Sequence, residues 1–417
     1  MIDADMSFDF PNIRHLRAFS EVARHRGISA AAEAVYLSQP AITQAIGKLE
    51  QRLGVQLFER LTDGMKVTEP GAMFLHRVDR MLAQLHLGVA EAIRLQPGRN
   101  GKGFEHFDRL VTAAQLRALI ALASARNFSI AARNSGISQP SIHRAARDLE
   151  RLAGFQLFRT AAQGIELTLA AEHLARRARL AAAELQQGQF ELAAHKGRDS
   201  TRITIGTMPL ARTRILPRAM NEMLKDHHAI QLRTIEGPYS ELLRGLRYGE
   251  SDFLIGAMRD PLPSQDVVQE PLFDDSLAVV VRPGHPLVGQ VPLDLEATLA
   301  YPWIAPPKTT PAGRYLSAAL DIPGRAETPV RVVSSSLILV RGLLLEGDYM
   351  TLISRHQVRF ELDHGILAAL PVALPNNHRA IGLTFRAGWQ PTATQARFLD
   401  LIRQEIRRTT KPYAQTE

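Results

Sequence analysis

Two stretches of the chain combine hydroxyl, amide and basic side chains at helical spacing, a chemistry suited to contacts with bases and phosphates. The first is SQPAITQAIGKLEQRLGVQLFER from position 38, and the second is SQPSIHRAARDLERLAGFQLFRT from position 138, displaced by 100 positions without a gap. Arg and Lys that face phosphate set affinity and salt sensitivity, whereas Gln, Thr, Ser and Arg that face bases set sequence preference. The repeat indicates a duplicated binding element.

Three short helices must position the first set of side chains. Apolar residues recur every three or four positions from Asn12 to about Arg26, which predicts a helix that Gly27 ends. Ser29 is expected to cap a second helix through Val35. Ser38 should cap the third, with Pro40 tolerated in its first turn. This order predicts a helix-turn-helix unit whose last helix can enter a major groove.

Two short extended runs follow the third helix and meet at Asp63-Gly64, which predicts a β-hairpin wing. The predicted DNA contacts of the first copy lie on the exposed side of the third helix and on this wing: Ser38, Gln39, Pro40, Ala41, Thr43, Gln44 and Lys48, then Arg60 and Lys66.

The second copy repeats the pattern, with a first helix over Leu116 to Ala125 and caps expected at Ser129 and Ser138. Its predicted DNA contacts share the same positions on the third helix and the wing: Ser138, Gln139, Ser141, His143, Arg144 and Arg147, then Arg159. A solvated surface role for His143, and capping or phosphate contacts for Gln39 and Gln139, remain alternatives to base reading.

A long helix is predicted after each wing, from Thr68 to about Leu95 and from Thr168 to about His195. The first has an apolar stripe from Phe74 to Ile93 that requires a partner helix. Residues 96–103, QPGRNGKG, are typical of a flexible linker. Met1 to Asp9 is expected to be a disordered leader.

Composition favours a polyanion partner and gives no sign of catalysis. The 417-residue chain has a formal net charge of +8 and no cysteine. Residues 109–180 contain 11 Arg or Lys against four Asp or Glu. We expect no metal, no cofactor and no enzymatic activity, because no nucleophile or metal-spaced motif is present. The lack of an apolar signal segment or a membrane-length apolar run predicts a cytoplasmic protein without membrane contact.

The first copy resembles the LysR-type transcriptional regulators. Their pattern, LxAFxxVAxxxxxSxAAxxxxxSQPAxTxxIxxLExxLGxxLFxR followed by TxxG, is matched by these residues: Leu16, Ala18, Phe19, Val22, Ala23, Ser29, Ala31, Ala32, Ser38, Gln39, Pro40, Ala41, Ile46, Leu49, Glu50, Leu53, Gly54, Leu57, Phe58, Arg60, Thr68 and Gly71. The second copy departs from the pattern at five positions: Leu119, Ala146, Ala153, Thr160 and Ala171. The resemblance implies double-stranded DNA as a partner, a homo-dimer or tetramer, and RNA polymerase if the protein activates transcription.

Family members carry one winged domain and one linker helix, and in their dimers two linker helices pack antiparallel. The doubled arrangement here therefore suggests that one chain forms a pseudo-dimer, with its own two long helices packed together. This hypothesis rests on the two long helices and the short segment at 96–103 that joins the copies.

From Thr201 onward, β-branched runs alternate with helical segments, which predicts an α/β sheet with parallel pairing. A helix from Pro209 to about Leu224 is expected after the first strand. This half resembles the two-lobed, periplasmic-binding-protein-like (type 2) effector domain of the same family, near regulators of sugar-binding-protein and aromatic-acid genes, including the galactose-binding-protein regulator subgroup. The predicted fold is therefore multi-domain, with two all-α winged helix-turn-helix domains before a two-lobed α/β domain.

Ligands of such sheets lie beyond the carboxyl ends of the strands, near helix N-termini. The candidate effector contacts follow four predicted strands: Thr207, Met208 and Pro209, then Gly237 and Ser240, then Gly256, then Ser334, Ser335 and Ser336. They favour a sugar, a sugar acid or a small carboxylate. Ordinary capping by the individual serines is the alternative.

The sequence predicts a sequence-specific transcriptional regulator that senses a small molecule in its C-terminal cleft. A cytoplasmic ligand-binding or assembly protein whose duplicated helices do not read DNA is the alternative. The expected boundaries are 10–69 and 109–167 for the winged domains, 70–95 and 168–197 for the linker helices, 96–108 for the flexible connection, and 200–410 for the effector domain, with lobe 1 at about 200–284 and 380–410 and lobe 2 at about 285–379.

Overall fold

The computed structural model describes residues 10–62, 64–95, 107–162 and 164–409. The chain divides into two compact units, one made mainly of residues 1–202 and the other mainly of residues 203–417. The expected leader lies outside the described residues, and so does the expected flexible connection at 96–108 except for its last two residues, which begin a short helix at Phe107–Leu110. None of the helices within the described ranges is both long and apolar enough to cross a membrane.

The N-terminal unit begins with a winged helix-turn-helix domain, here called the first winged domain. Its elements are α1 (Ile13–His25), α2 (Ile28–Val35), α3 (Gln39–Leu53), β1 (Phe58–Leu61) and β2 (Gly64–Val67). Phe19 is completely buried between Phe58, at a ring-centroid distance of 5.4 Å, and Phe74 on the following helix. These apolar contacts fix the wing and the long helix to α1.

The long helix α4 (Glu69–Arg94) leads to the second winged domain, whose elements repeat those of the first. They are the short α5 (Phe107–Leu110), then α6 (Ala113–Ala125), α7 (Phe128–Ser135), α8 (Gln139–Ala153), β3 (Phe158–Ala161), β4 (Gly164–Leu167) and the second long helix α9 (Leu169–His195). Thr68 and Thr168 cap the two long helices by accepting hydrogen bonds from the backbone N–H groups of Gly71 and Ala171.

The predicted helix starts need two corrections. Ser29 and Ser129 were expected as caps, but both lie inside their helices, which begin one residue earlier. Asn127 caps α7 instead, because its side chain accepts from the N–H groups of Ser129 and Ile130. In the first copy, the extended residue Gly27 precedes α2. Gly27 therefore does not end α1; that helix ends at His25, with Arg26 left-handed.

The helices α4 and α9 pack against each other within one chain. Gly88 lies against Arg177, where an added Cβ would be 2.8 Å from the Arg177 Cβ, and Gly188 lies against Arg77 at 3.1 Å. The rising residue number on one helix meets the falling number on the other, so the pair is antiparallel. A glycine on each helix permits this close approach.

The C-terminal unit is an α/β domain. Its strands are β5 (Arg202–Thr207), β6 (Gln231–Glu236), β7 (Phe253–Ala257), β8 (Val267–Val281), β9 (Trp303–Ala305), β10 (Val330–Val333), β11 (Met350–Ser354), β12 (Ala368–Ala369) and β13 (His378–Arg386). Its helices are α10 (Pro209–Arg212), α11 (Ile215–Asp226), α12 (Tyr239–Arg247), α13 (Pro311–Ala319), α14 (Leu337–Glu346), α15 (Arg359–Asp363) and α16 (Ala393–Thr409).

The strands follow the order β10-β9-β11-β8-β13-β7-β5-β6, and β12 pairs with β8. The predicted parallel pairing holds for β5 with β7 and for β9 with β10 and β11. It is wrong for the two long strands, because β13 runs antiparallel to both β7 and β8 and β11 runs antiparallel to β8. The single helix expected from Pro209 to Leu224 is also interrupted, by Thr213 and Arg214 between α10 and α11.

Candidate functional site

The third helix of the first winged domain is fixed at both ends. The Ser38 hydroxyl accepts from the Ala41 N–H at 3.3 Å, and Gly54 ends the helix at φ 63°. Near that end, the Glu50 carboxylate accepts from the N–H groups of Leu57 and Phe58 at 2.8 and 3.4 Å. The helix and the wing therefore hold a fixed relative position. Glu150 makes the same two bonds in the second copy, both at 2.9 Å.

Most of the predicted DNA contacts of the first copy are exposed. The exposed residues lie on α3 and the wing: Ser38, Gln39, Pro40, Thr43, Gln44, Lys48, Arg60 and Lys66. On the wing, Arg60 pairs with Met65 and Glu59 with Lys66, so Arg60 and Lys66 lie on opposite faces of the hairpin. Ala41 is half-buried. The opposite side of α3 is buried through Ile42, Ile46 and Leu49. The amphipathic pattern thus leaves the polar residues accessible to a large ligand.

The predicted contacts of the second copy are all exposed as well: Ser138, Gln139, Ser141, His143, Arg144, Arg147 and Arg159. Several of these side chains are engaged by neighbours. Gln139 accepts from the Ser129 hydroxyl at 3.1 Å, and the His143 ring packs at 5.1 Å from the Phe128 ring. Arg147 pairs with Glu150 at 2.7 Å, whereas Arg144 has no partner among the described residues.

The two wings are attached to the first helix of their domains in the same way. Gly64 and Gly164 have φ values of 146° and 133°, and an added Cβ would strike the carbonyl oxygens of Arg26 and Arg126. Those carbonyls accept from Met65 N and Ile165 N, each at 2.9 Å. Glycine is therefore required for this close approach.

The candidate effector residues are distributed unevenly around the ends of the strands. Met208 packs closely on Gly256, and its N–H donates to Ile255 O at 3.1 Å. Thr207 is only 1% exposed, and its hydroxyl donates to Ile235 O at 3.4 Å. Pro209 is half-buried at the start of α10. The structure therefore brings Met208 and Gly256 together and turns the Thr207 hydroxyl toward the backbone.

The other candidates are more accessible. Gly237 is exposed between β6 and α12, Ser240 is exposed in the first turn of α12, and Ser335 is exposed after β10. Ser336 caps α14 by accepting from Leu339 N at 3.4 Å, and the Ser334 hydroxyl accepts from Ser336 N at 3.1 Å. Ser336 is therefore an ordinary helix cap, as the alternative interpretation of the serines stated.

Sequence reasoning missed a group of arginines and a tyrosine beside Met208. The Arg259 guanidinium lies over the Tyr239 ring, 4.3 Å from its centroid, and the buried Tyr239 hydroxyl has no hydrogen-bond partner among the residues that the structure describes. Met208 and Tyr239 pack against the same apolar cluster, formed by Leu242, Leu246, Leu254 and Val267. Arg259 follows Gly256 by three residues, so a wider search beyond the strand end would have found it.

Electrostatics at this group favour an anion. Burial lowers the pKa of Arg259, and the positive charges of Arg314 and Arg379 lower it further, whereas Tyr239 opposes the change. Burial raises the pKa of Tyr239, so that its hydroxyl remains a donor at neutral pH. Among the described residues, Arg259 and Arg314 form no ion pair with a carboxylate. An anion placed here would relieve the repulsion.

Arg379 is held at the edge of this group by a buried carboxylate. Asp275 is fully buried and accepts from Arg379 Nε at 3.0 Å and from the Ser354 hydroxyl at 2.7 Å. Burial lowers the pKa of the neighbouring His356, an effect that Asp275 opposes. This network orients Arg379 and neutralises one of the arginines, while Arg259 and Arg314 remain uncompensated.

Two winged helix-turn-helix domains followed by an α/β domain define a transcriptional regulator with an effector-binding domain. Residues 13–72 and 113–172 each match the family model described as the bacterial regulatory helix-turn-helix protein, lysR family. Residues 196–407 match the LysR substrate binding domain. The chain belongs to the LysR family of transcriptional regulators, and the assembly-protein alternative is set aside.

Relatives differ in how much of the chain they match. The chain is 34% identical to the HTH-type transcriptional regulator GalR of Pseudomonas putida over 407 residues, which is 97% of this chain and 99% of GalR. It is 26% identical to PcaQ of Agrobacterium fabrum over 297 residues, 71% of this chain and 96% of PcaQ. PcaQ is thus too short to match both winged domains together with the effector domain.

A solved structure supports the fold alone. The full-length structure of an OxyR variant from Pseudomonas aeruginosa superimposes with a TM-score of 0.53 at 21% identity, covering 73% of this chain and 98% of the OxyR chain.

Proposed function

We propose that both winged domains contact double-stranded DNA through the exposed residues of α3, α8 and the two wings. The observation that carries this proposal is the exposed polar side of two capped helices, each fixed to its wing by a glutamate. Gln39, Thr43 and Gln44 read bases in the first copy, and Lys48 and Arg60 contact phosphate. This division follows from the chemistry of the side chains.

The effector is a small carboxylate, preferred here over a neutral sugar. Support comes from Arg259, which is partly buried, lies near two further arginines and forms no ion pair within the described part of the chain. The Tyr239 hydroxyl supplies a hydrogen-bond donor and its ring an apolar wall. Arg binds carboxylates in a bidentate manner, so one oxygen pair satisfies charge and geometry together.

Effector binding shifts the balance between two arrangements of the regulator on DNA. The carboxylate binds one arrangement of the lobes more tightly, and the difference in affinity sets the size of the shift. The regulator acts in the cytoplasm as a homo-dimer or tetramer, and it contacts RNA polymerase if it activates transcription. Membership of the LysR family supports these assignments.

The DNA part of the proposal is tested by gel shift of the full-length protein at a series of salt concentrations. A protein that neutralises several phosphates loses affinity steeply as salt rises. Exchanging Gln39 and Thr43 together for Ala should remove operator preference and retain nonspecific binding. An equal loss of affinity on all sequences would show that these two residues contact the DNA backbone and not the bases.

The effector part is tested by calorimetric titration of the full-length protein. The titrants are aliphatic and aromatic monocarboxylates, the matching neutral amides, and galactose. Binding of a carboxylate, with no binding of the matching amide, would support the assignment. Equal binding of the acid and the amide, or binding of galactose alone, would overturn it.

A further inference from the structure

The two long helices are related by an internal two-fold symmetry. The Arg77 guanidinium pairs with Glu191, and the equivalent Arg177 pairs with Glu91. Arg77 also bonds Glu184 at 3.1 Å, while Arg177 bonds the equivalent residue of the other helix, Gln84, at 2.8 Å. Contacts that recur after exchange of the two copies are the signature of an isologous interface, here enclosed within one chain.

The symmetry extends to the winged domains, because each is joined rigidly to its own long helix. Thr68 N donates to Leu57 O at 3.0 Å, and Thr168 N donates to Leu157 O at 2.9 Å. The far end of α9 also reaches the first winged domain, where the Lys196 ammonium donates to Leu53 O at the end of α3. The two-fold relation of α4 and α9 therefore relates the recognition helices α3 and α8 in inverted orientation.

The side chains on these two helices are not equivalent. Thr43 and Gln44 in α3 correspond to His143 and Arg144 in α8, and all four are exposed. Gly47 corresponds to Arg147, which pairs with Glu150 on its own helix. Gln side chains pair best with adenine edges, whereas Arg pairs with the O6 and N7 acceptors of guanine. Two helices with such different donors cannot prefer the same base sequence.

We propose that a single chain reads a bipartite duplex site made of two unlike half-sites in inverted orientation. The half-site under α3 is read at adenine by Gln39 and Gln44, and the half-site under α8 is read at guanine by Arg144. The spacing between them is fixed by the α4–α9 pair. This inference rests on the proposed binding of DNA, and it goes further by assigning different sequences to the two copies.

The form of the DNA site distinguishes one chain that uses both winged domains from a pair of chains that each use only the first. If two chains each used only the first winged domain, their identical α3 helices would select an inverted repeat of like half-sites. Use of both copies from one chain selects unlike half-sites in a fixed order. The form of the preferred DNA sequence therefore reveals which copies read it.

The test is selection of duplexes from a random library by the full-length protein, followed by sequencing. The inference expects two unlike half-sites at constant spacing. Arg144→Gln should lower the affinity for the guanine half-site roughly 5- to 150-fold and leave the preference at the other half-site unchanged. The paired variant His143→Thr with Arg144→Gln should move the selected sequence toward an inverted repeat.

The control is Arg133→Gln, which removes one exposed positive charge from α7, outside the recognition helix. It should leave the selected sequence unchanged. An inverted repeat selected by the wild-type protein would overturn the inference, and so would a single half-site flanked by random sequence. Failure to bind any duplex, even at low salt, would instead show that the proposed DNA-binding function itself is wrong.

Discussion

At Arg259, burial and two nearby positive charges both disfavour the protonated guanidinium. Burial lowers its pKa, and Arg314 and Arg379 reinforce the effect. Within a folded protein such an arrangement costs free energy, which an anionic ligand recovers on binding. The tyrosine beneath the guanidinium restricts the approach to one side, because the ring occupies the other.

Replacing this arginine should therefore weaken carboxylate binding. We expect Arg259→Gln to raise the dissociation constant roughly 10- to 150-fold, because a hydrogen bond to a charged group contributes about 1.5–3 kcal/mol. The measurement is calorimetric titration of the full-length protein. Arg397→Gln removes an exposed charge from α16 and should change nothing. Unchanged affinity in the Arg259 variant would place the carboxylate elsewhere.

Asp252 should give the C-terminal unit a specific dependence on pH. Burial raises its pKa from 3.8 to about 6, although Thr204 N and Gln395 donate to it and Arg386 attracts it. Between these two values the native carboxyl keeps a proton that the unfolded chain has released. The free energy of unfolding should therefore fall as pH rises from about 4 to 6.

The Asp252→Asn variant should lack this part of the pH profile, since an amide does not titrate. The two tryptophans of the chain, Trp303 and Trp389, both lie in the C-terminal unit, so their fluorescence reports its unfolding in urea. Asp226→Asn, at an exposed position, should keep the wild-type profile. If the free energy of unfolding of Asp252→Asn fell with pH as steeply as that of the wild type, the carboxyl of Asp252 would not be the cause of the pH dependence.

Individual site residues were predictable where the chemistry is local. Ser38 and Ser138 were placed as caps from the SQP motif, because a helix start needs only neighbouring residues. Arg314 and Arg379 gave no such signal, since they lie 55 and 120 positions after Arg259 and are brought near it only by the folded sheet. Tertiary proximity of this kind has no periodicity in the sequence.

At the scale of elements, an arginine–glutamate ion pair occurs twice between the helices α4 and α9, and the two copies differ in burial. Arg77 is only 2% exposed and bonds Glu184, Gln187 and Glu191. Burial acts to lower the pKa of Arg77, but the two glutamates outweigh it and raise that pKa. The equivalent Arg177 is 17% exposed. The first contact should therefore matter more to stability.

We expect Arg77→Gln to lower the free energy of unfolding of the N-terminal unit by about 1.5–3 kcal/mol, because Glu191 loses its arginine partner and the buried Glu184 keeps only Arg80. The matched variant Arg177→Gln should lose less, since water reaches Glu91 more easily. Far-UV circular dichroism follows the helices during urea unfolding, while tryptophan fluorescence should report an unshifted transition of the C-terminal unit. Equal losses in the two variants would contradict the argument from burial.

Helices were more predictable than the sheet. The predicted bounds of α3, α4 and α9 lie within about one residue of those observed, because capping residues and one buried face mark a helix locally in the sequence. The antiparallel direction of β13 was missed. Its sequence, HRAIGLTFR, gives the alternation of a strand but carries nothing about the direction of neighbours that lie more than a hundred residues earlier.

On the scale of the whole molecule, duplication places an antiparallel pair of long helices within a single chain. The 100-residue displacement, the equivalent caps and the exchanged arginine pairs all agree on this point. An interface inside one chain forms at any protein concentration, because its two halves are tethered. The duplication also frees each recognition helix to change alone, which identical subunits cannot do.

This intramolecular pairing can be trapped covalently. The chain contains no cysteine, so Gly88→Cys combined with Arg177→Cys introduces the only two thiols. An added Cβ at position 88 lies 2.8 Å from the Arg177 Cβ, within reach of a disulfide after a small adjustment of the helices. Mild oxidation should produce a monomer of altered mobility on a non-reducing gel. Each single variant serves as a control. Disulfide-linked dimers as the main product of the double variant would show that α4 pairs with α9 of another chain, and the single-chain reading of two half-sites would then lose its structural basis.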